Sequence, residues 1–109
     1  MALFEITTGD DVDYPAQLTK NGATFKIDPG ATVKGCIKYE GEAISAEVTC
    51  DNAHPDADWV NSLVIVPFTA VQTEAITKTG LTAYIEIQVD DGGKLTWDRT
   101  VRIEKGVIA

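Results

Sequence analysis

The chain has 109 residues, of which 44% are hydrophobic, and its 17 acidic and 9 basic side chains give a net charge of -8. A chain of this length is typical of one domain, so we expect residues 1–109 to form a single folded unit. The basic residues are scattered, which argues against binding to nucleic acid or to an anionic membrane. The acidity favours either simple solubility or complementarity to a basic partner surface.

Neither a membrane span nor a secretion signal is predicted. The longest apolar run, Leu63–Phe68, is far shorter than the roughly 20 residues that a membrane helix needs. Residues 1–6 lack the basic segment and long apolar stretch of a signal peptide. We therefore expect the protein to stay in the compartment in which it is made.

The first part of the chain predicts three short strands, because polar and apolar residues alternate along it. Pro15 cannot donate a ladder hydrogen bond, so the second of these strands is expected at a sheet edge or with a bulge. Asn21-Gly22 is a strong hairpin signal before the third. The three alternating runs are residues 4–7, 12–18 and 23–27.

Residues 32–40 and 43–50 predict a hairpin closed by Gly41-Glu42. Gly35 lies inside the first strand, where glycine indicates a bulge or close packing by a large neighbour. The second strand is expected to bury one face. The residues of that face are Ile44, Ala46, Val48 and Cys50.

This hairpin also predicts that the two cysteines are not bonded. Cys36 comes opposite Glu47, and Cys50 comes opposite Val33, so the two thiols point to opposite faces of the sheet. Free thiols are typical of a reducing compartment such as the cytoplasm.

After the polar loop 51–58, Leu63-Val64-Ile65-Val66 predicts a strand that is central or covered on both faces. Thr69 is a helix N-cap for one or two turns over residues 69–76. The side chains expected to point inward from these turns are Val71, Ala75 and Ile76.

The cleanest alternation runs over residues 81–89, and Asp90-Asp91-Gly92-Gly93 connects it to a last strand over residues 94–104. Leu95, Trp97, Val101 and Ile103 share the apolar face of that last strand. The whole pattern predicts an all-β, antiparallel β-sandwich, Ig-like or jelly-roll-like, with about eight strands and at most one short helix near 69–76.

Catalytic chemistry has few candidates. The single histidine, His54, lies in the loop 51–58, and the only serines are Ser45 and Ser62, neither of them in a strand–turn–helix elbow. A Cys50–His54 pair lacks a third group to orient the base. Carboxylate pairs for glycoside hydrolysis lie in turns without an aromatic-lined cleft. We expect a protein that is not an enzyme and has no catalytic residues.

Metal binding has two candidate forms. A zinc site from Cys36, Cys50 and His54 fails, because the thiols lie on opposite faces and no C-x-x-C is present. Calcium has more candidate ligands, but none has EF-hand spacing, and Asp and Asn are ordinary turn residues. The acidic clusters are Asp10, Asp11 and Asp13; Asp51, Asn52, Asp56 and Asp58; and Asp90 and Asp91. We expect no metal and no cofactor.

The remaining candidates are surfaces. Trp59 borders the acidic loop and either covers the core or stacks on a ligand, whereas Trp97 falls on an apolar strand face. The chain ends are apolar, which indicates docking on their own sheet or on a neighbouring subunit. The expected partner-contact residues are Leu3, Phe4, Trp59, Val107 and Ile108.

Residues 27–37, around Asp28-Pro29-Gly30, resemble the strand–turn–strand opening of small Ig-like modules in tailed-phage structural proteins, such as the baseplate upper protein N-terminal domain. Residues 90–97 resemble their closing hairpin, and the similarity extends over residues 12–104. Baseplate modules usually lead into further domains. A free-standing acidic β-sandwich instead resembles capsid decoration or cement proteins.

The resemblance implies a virion structural protein, made in the host cytoplasm, that reinforces the phage shell. Its partners would be the major capsid protein or another virion protein, with further copies of itself in the particle, and neither nucleic acid nor membrane. Two alternatives stay open: a phage tail, baseplate or neck component, and a β-sandwich module that binds carbohydrate or another ligand at Trp59 and the loop 51–58.

Overall fold

Alternating side chains make strands of about half of the chain in the computed structural model, which describes residues 3–107. The elements in chain order are β1 (Phe4–Thr7), β2 (Val12–Gln17), β3 (Thr32–Tyr39), β4 (Glu42–Ala43), β5 (Val48–Cys50), a 3-10 turn (Trp59–Asn61), β6 (Leu63–Phe68), α1 (Ala70–Glu74), β7 (Leu81–Asp90) and β8 (Lys94–Glu104). The all-β class and the single short helix near 69–76 are confirmed. Within residues 3–107 no helix has the length and apolarity to cross a membrane.

The strands form two layers. One is a six-stranded sheet in the order β1-β8-β7-β3-β4, with β5 also paired to β3, and the other is a two-stranded sheet of β2 and β6. Every pair is antiparallel except β1 with β8, which is parallel. β1 and β8 are not consecutive strands, so no hairpin connection forces β1 to run against its neighbour.

The core lies between the two layers. The inward residues of β7 that alternation predicts are confirmed as buried, from Ala83 to Val89. They pack in one cluster with inward residues of the small sheet such as Val64 and Val66. At Gly35 the layers approach so closely that an added Cβ would lie 2.8 Å from Cγ1 of Val66. The close packing predicted at this glycine is therefore confirmed.

The third predicted strand, residues 23–27, does not form. Asn21 and Gly22 adopt the positive φ angles of the expected tight turn, 52° and 78°, but pairing stops at the bridge between Lys20 and Ala23. Side chains anchor the rest of the segment. The Phe25 ring stacks on Trp97 with centroids 5.7 Å apart. The expected total of eight strands still holds, because the predicted strand 43–50 divides into β4 and β5.

The turn between β3 and β4 lies one residue earlier than expected. Glu40 and Gly41 occupy it with φ of 51° and 81°, so Tyr39 pairs with Glu42. Ile37 O then accepts hydrogen bonds from two successive amides, those of Ile44 and Ser45.

This bulge shifts the register again before β5, so that Cys50 comes opposite Val33 as predicted. Both cysteines are free, which confirms that they are not bonded. Ala46 is exposed rather than buried, because it lies in the irregular segment that the bulge creates.

The small sheet contains β2 and β6 alone, so β6 is not a central strand. It is nevertheless covered on both faces, as predicted, since Val64 and Ile65 are both buried. Pro15 pairs in register with Ile65 on the outer side, and the expectation of an edge strand there is confirmed. His54 contacts Asp13 on this same outer face, so the loop 51–58 covers it.

Thr69 caps α1 as predicted. Its Oγ1 accepts from Gln72 N at 3.3 Å, and Gln72 Oε1 accepts from Thr69 N at 2.8 Å. The expected inward direction is confirmed at Ile76, which is buried, but it is wrong at Val71, which is 76% exposed, and at Ala75, which is also exposed. The helix buries Thr73 instead, because its Oγ1 donates to Asp10 O and accepts from Gly9 N in the turn after β1.

Gly35→Ala should test the close approach of the two layers. The new methyl group must displace the branched Val66 side chain, so we expect a loss of about 1–3 kcal/mol in the free energy of unfolding by denaturant titration. Gly93→Ala is the matched control, because nothing lies within 4 Å of its added Cβ. Equal effects of the two substitutions would contradict the packing described for Gly35.

Candidate functional site

The hydroxyls of both serines form hydrogen bonds with backbone groups of neighbouring segments. Ser62 Oγ is buried, donates to Leu18 O at 2.6 Å, and accepts from Phe25 N. Ser45 Oγ accepts from Ile37 N at 2.8 Å and donates to Ala46 O. A hydroxyl with these hydrogen bonds has no adjacent base to activate it, so neither serine has the setting of a nucleophile.

The thiols are likewise protonated rather than activated. Burial raises the pKa of Cys50 to about 12. Burial first, and then the neighbouring Glu86 and Glu47 carboxylates, also raise the pKa of Cys36. A reactive cysteine needs a lowered pKa, and these two surroundings act in the opposite direction. The two thiols lie on different faces, so the rejected Cys36–Cys50–His54 zinc set does not assemble.

One cluster of titratable groups forms between distant parts of the chain. Asp13 of β2 lies close to His54 and Asp56 of the loop 51–58. Each residue offers one potential metal-ligand atom, and these three atoms lie within 4.8 Å of one another. His54 Nε2 lies 3.2 Å from Asp13 Oδ2, and Asp56 N–H donates to His54 Nδ1 at 3.1 Å. Since Nδ1 accepts a hydrogen bond, the ring is in the tautomer with its proton on Nε2, which donates to Asp13.

This arrangement fits a structural brace better than a metal site. A metal on Nε2 would need a lone pair there, but the neutral ring has its one proton on that nitrogen while Nδ1 accepts from Asp56. Both ring nitrogens are thus in use. The brace holds the loop 51–58 over β2 and β6. The sequence placed Asp13 and Asp56 in separate clusters, since residues 43 positions apart give no local signal.

The other acidic residues of the candidate calcium clusters mainly organise turns. Asp51 Oδ1 accepts from Ala53 N, and Asp90 Oδ1 accepts from Gly92 N. Asp11 Oδ1 accepts from Ala70 N at the start of α1. The hydrogen bonds of Asp51 and Asp90 are the local ones for which turns select Asp, whereas that of Asp11 joins residues 59 positions apart.

Trp59 takes the core position that was one of its two expected roles, whereas Trp97 is less buried than its apolar strand face predicts. Trp59 is 4% exposed and belongs to the core, so its ring is not available as a ligand platform. Its indole N–H is buried without a hydrogen-bond partner within residues 3–107. Trp97 is only partly buried, and its Nε1 donates to Thr19 O at 3.0 Å. Trp97 thus anchors the irregular segment that replaces the predicted third strand.

The first and last described segments lie side by side at one edge of the six-stranded sheet, which we call the terminal edge (Leu3 to Thr7 with Lys105 to Val107). β1 lies at the edge of its own sheet, as one of the two expected alternatives proposed. Leu3 is 43%, Phe4 39% and Val107 96% exposed. Ile108, the last predicted contact residue, lies outside the described residues.

The backbone of β1 is open on its outer side. Thr8 N donates to Glu104 O at 2.9 Å, so the residues in phase with Thr8, namely Phe4 and Ile6, direct their amides and carbonyls at β8. Glu5 is out of phase and exposed, and its N–H and C=O point away from the sheet. An open strand edge of this kind is a template for another strand.

Comparison of the chain with protein-family models, with curated proteins and with solved structures finds no significant match. The surfaces and side chains described above therefore carry the functional argument.

Thiol labelling should separate the two cysteines. Burial raises the pKa of Cys50 from an ordinary 9 to about 12. The fraction of Cys50 present as thiolate at pH 8 is therefore about a thousandfold lower than that of an ordinary cysteine. With Ellman's reagent we expect partly exposed Cys36 to react first and Cys50 only on unfolding.

The Cys36→Ser variant isolates the effect of Cys50 on stability. Between pH 9 and 12 the Cys50 thiol keeps its proton in the native state but loses it in the unfolded state, so the free energy of unfolding should fall as pH rises from 9 towards 12. Rapid labelling of native Cys36→Ser would contradict the burial.

The His54 brace predicts a stability effect without any metal. His54→Ala removes the hydrogen bonds to Asp13 and Asp56, and we expect a loss of about 1 kcal/mol in the free energy of unfolding. Asn52→Ala, an exposed change in the same loop, should alter stability by less than about 0.5 kcal/mol. A His54→Ala variant as stable as the wild type in metal-free buffer would remove the structural role.

Proposed function

We propose that this chain is a non-enzymatic structural protein that attaches to a larger assembly through its terminal edge. The observation that carries the proposal is the exposure of Leu3, Phe4 and Val107 around an open edge strand. Following the sequence resemblance, the specific form we propose is capsid decoration: a virion protein that reinforces a phage shell by binding the major capsid protein and its own neighbours.

Two kinds of contact are available at the terminal edge. The outward N–H and C=O of Glu5 suit addition of a strand from a partner. Leu3 and Val107, near opposite ends of β1, offer apolar area to the same partner. β1 has only four residues, so a strand added to it forms few hydrogen bonds and a single site of this kind is weak. A symmetric shell multiplies weak sites into firm attachment.

The state of the possible nucleophiles supports a non-catalytic role. Ser45 and Ser62 are committed to structural hydrogen bonds, the pKa values of both thiols are raised, and His54 braces a loop. Catalytic sites usually combine an activated nucleophile or base with a cleft. The described residues instead place their polar groups in turns, caps and surface ion pairs.

The charge of the chain narrows the class of partner. A net charge of -8 favours a basic patch on the assembly and opposes contact with bare nucleic acid. A tail, baseplate or neck position would use the same terminal edge and is the closest alternative. The carbohydrate-binding alternative is weaker, because Trp59, its proposed stacking residue, is in the core.

Val107→Asp should test the terminal edge against a matched control. Val71→Asp makes the same change at another exposed valine, on α1. With capsids of the phage that carries the gene, stripped of this protein, we expect Val107→Asp to weaken cosedimentation about tenfold, equivalent to about 1.4 kcal/mol, and Val71→Asp to leave it unchanged. Thermal unfolding of both variants should match the wild type. Equal binding by the two variants would overturn the role of the terminal edge.

Purified particles provide the test of the virion assignment itself. Quantitative mass spectrometry should find the protein at a fixed ratio to the major capsid protein. Its absence from particles made by cells that express it would overturn capsid decoration and the tail alternative together.

A further inference from the structure

The first half of β8 has a second open edge. Gly80 N donates to Ile103 O and Thr8 N donates to Glu104 O, so odd residues of β8 point their backbone groups at β7 and even residues point them at the other side. β1 occupies that other side only from Val101 onward. The backbone groups of Lys94, Thr96 and Asp98 therefore face no strand within residues 3–107.

The charges along this open edge are unbalanced. Lys38 Nζ lies 2.8 Å from Glu86 Oε2 and 3.1 Å from Asp98 Oδ1, so two carboxylates share one ammonium. The hydrogen bonds that Lys38 donates to Glu86 and Asp98 raise the pKa of Lys38, and the three side chains together keep one net negative charge. Four residues before Asp98, Lys94 is exposed and forms no ion pair within the described chain.

We propose that a second copy of this chain pairs with this edge, β8 against β8 in antiparallel orientation, with the two-fold axis at Thr96. In this register Lys94 of each copy lies opposite Asp98 of the other, and Thr96 lies opposite Thr96. All three are residues whose backbone groups point outward, as antiparallel hydrogen-bonded pairs require. Each unpaired ammonium thereby reaches a cluster with surplus negative charge.

The inner face supports the same register. Leu95, which is 44% exposed, comes opposite the partly buried Trp97 of the other copy. Aromatic–aliphatic cross-strand pairs of this kind stabilise sheets. Arg99 comes opposite Gly93, and Thr100 opposite Gly92, so the turn of the other copy presents no side chain at the two positions just before Val101, where the pairing with β1 begins.

Other registers with the same backbone phase are less favourable. Centring the axis on Asp98 sets two carboxylates against each other. Centring it on Trp97 sets Lys94 against Thr100 and Leu95 against Arg99. Charged residues on an edge usually prevent sheet-to-sheet pairing. Here the charges have opposite signs on either side of Thr96, so an antiparallel copy turns the same residues into attractive pairs.

This contact goes beyond the proposed function, because it joins copies of the chain in solution and does not depend on the larger assembly. Sedimentation velocity over a concentration series should show a reversible dimer of the wild type, weakened by added salt. Lys94→Glu and Asp98→Lys should each weaken dimerisation about tenfold or more, since each sets like charges opposite each other. Lys26→Glu, the same charge change at another exposed lysine, should leave the dimer intact.

Mixing the two weakened variants is the decisive arm. The carboxylate introduced at position 94 of one chain then faces the ammonium introduced at position 98 of the other, and the native Asp98 of the first chain faces the native Lys94 of the second. A heterodimer should therefore form at the concentration at which the wild type dimerises. Circular dichroism of each variant checks that it is folded. A wild type that stays monomeric at several hundred micromolar, or a mixture that stays monomeric, would overturn the inference. Capsid attachment through Val107 would still stand in either case.

Discussion

Gly35 and Val66 mark a point at which the six-stranded sheet and its two-stranded partner are in close contact. An added Cβ at Gly35 would lie 2.8 Å from Cγ1 of Val66, so the spacing of the two layers depends on this missing side chain. Ile85, Ile87 and Val33, which point inward from the large sheet, are fully buried at this spacing. A wider gap would leave the small sheet too far away to cover them.

The unequal size of the layers explains where the molecule is open. Two strands cannot cover six, and no third strand forms at residues 23–27 to extend the small sheet. The irregular segment after β2 covers part of the remaining face, since Phe25 stacks on Trp97 and Trp97 Nε1 donates to Thr19 O. These are side-chain contacts, so the backbone edge of β8 beside them stays free, as does the outer side of β1.

The polar side chains that reasoning about catalysis singled out have structural roles instead. His54 braces a loop, Ser62 joins three segments at a buried position, and Asp51 and Asp90 close turns. The exposed groups without such a structural role lie at the sheet edges. They are the apolar residues Leu3, Phe4 and Val107 at the terminal edge, and Lys94 and Asp98 on β8, whose charges are not balanced within the chain. Strand addition and edge pairing are the interactions that such edges support.

Alternation over residues 81–89 was sufficient to predict a strand and its buried face, because a side-chain period of two follows from backbone geometry alone. The cap at Thr69, the close packing at Gly35 and the unbonded cysteines were also readable, since each depends on neighbours in one strand, one turn or one hairpin. The predicted turn before β4 was wrong by one residue. A bulge restores the predicted register in β5, so the pairing beyond the turn does not reveal the shift.

Long-range contacts were decided by the tertiary structure alone. Residues 23–27 have a strand pattern, yet the partner they would need is absent and Trp97 offers a ring to stack on instead. The residues before Trp59 are typical of a surface loop, yet its side chain is buried in the core. Asp13 meets His54 across 41 residues, and β1 pairs parallel to the last strand of the chain. Alternation specifies which face of a strand is dry, whereas strand order and edge exposure depend on how distant segments compete for the same core.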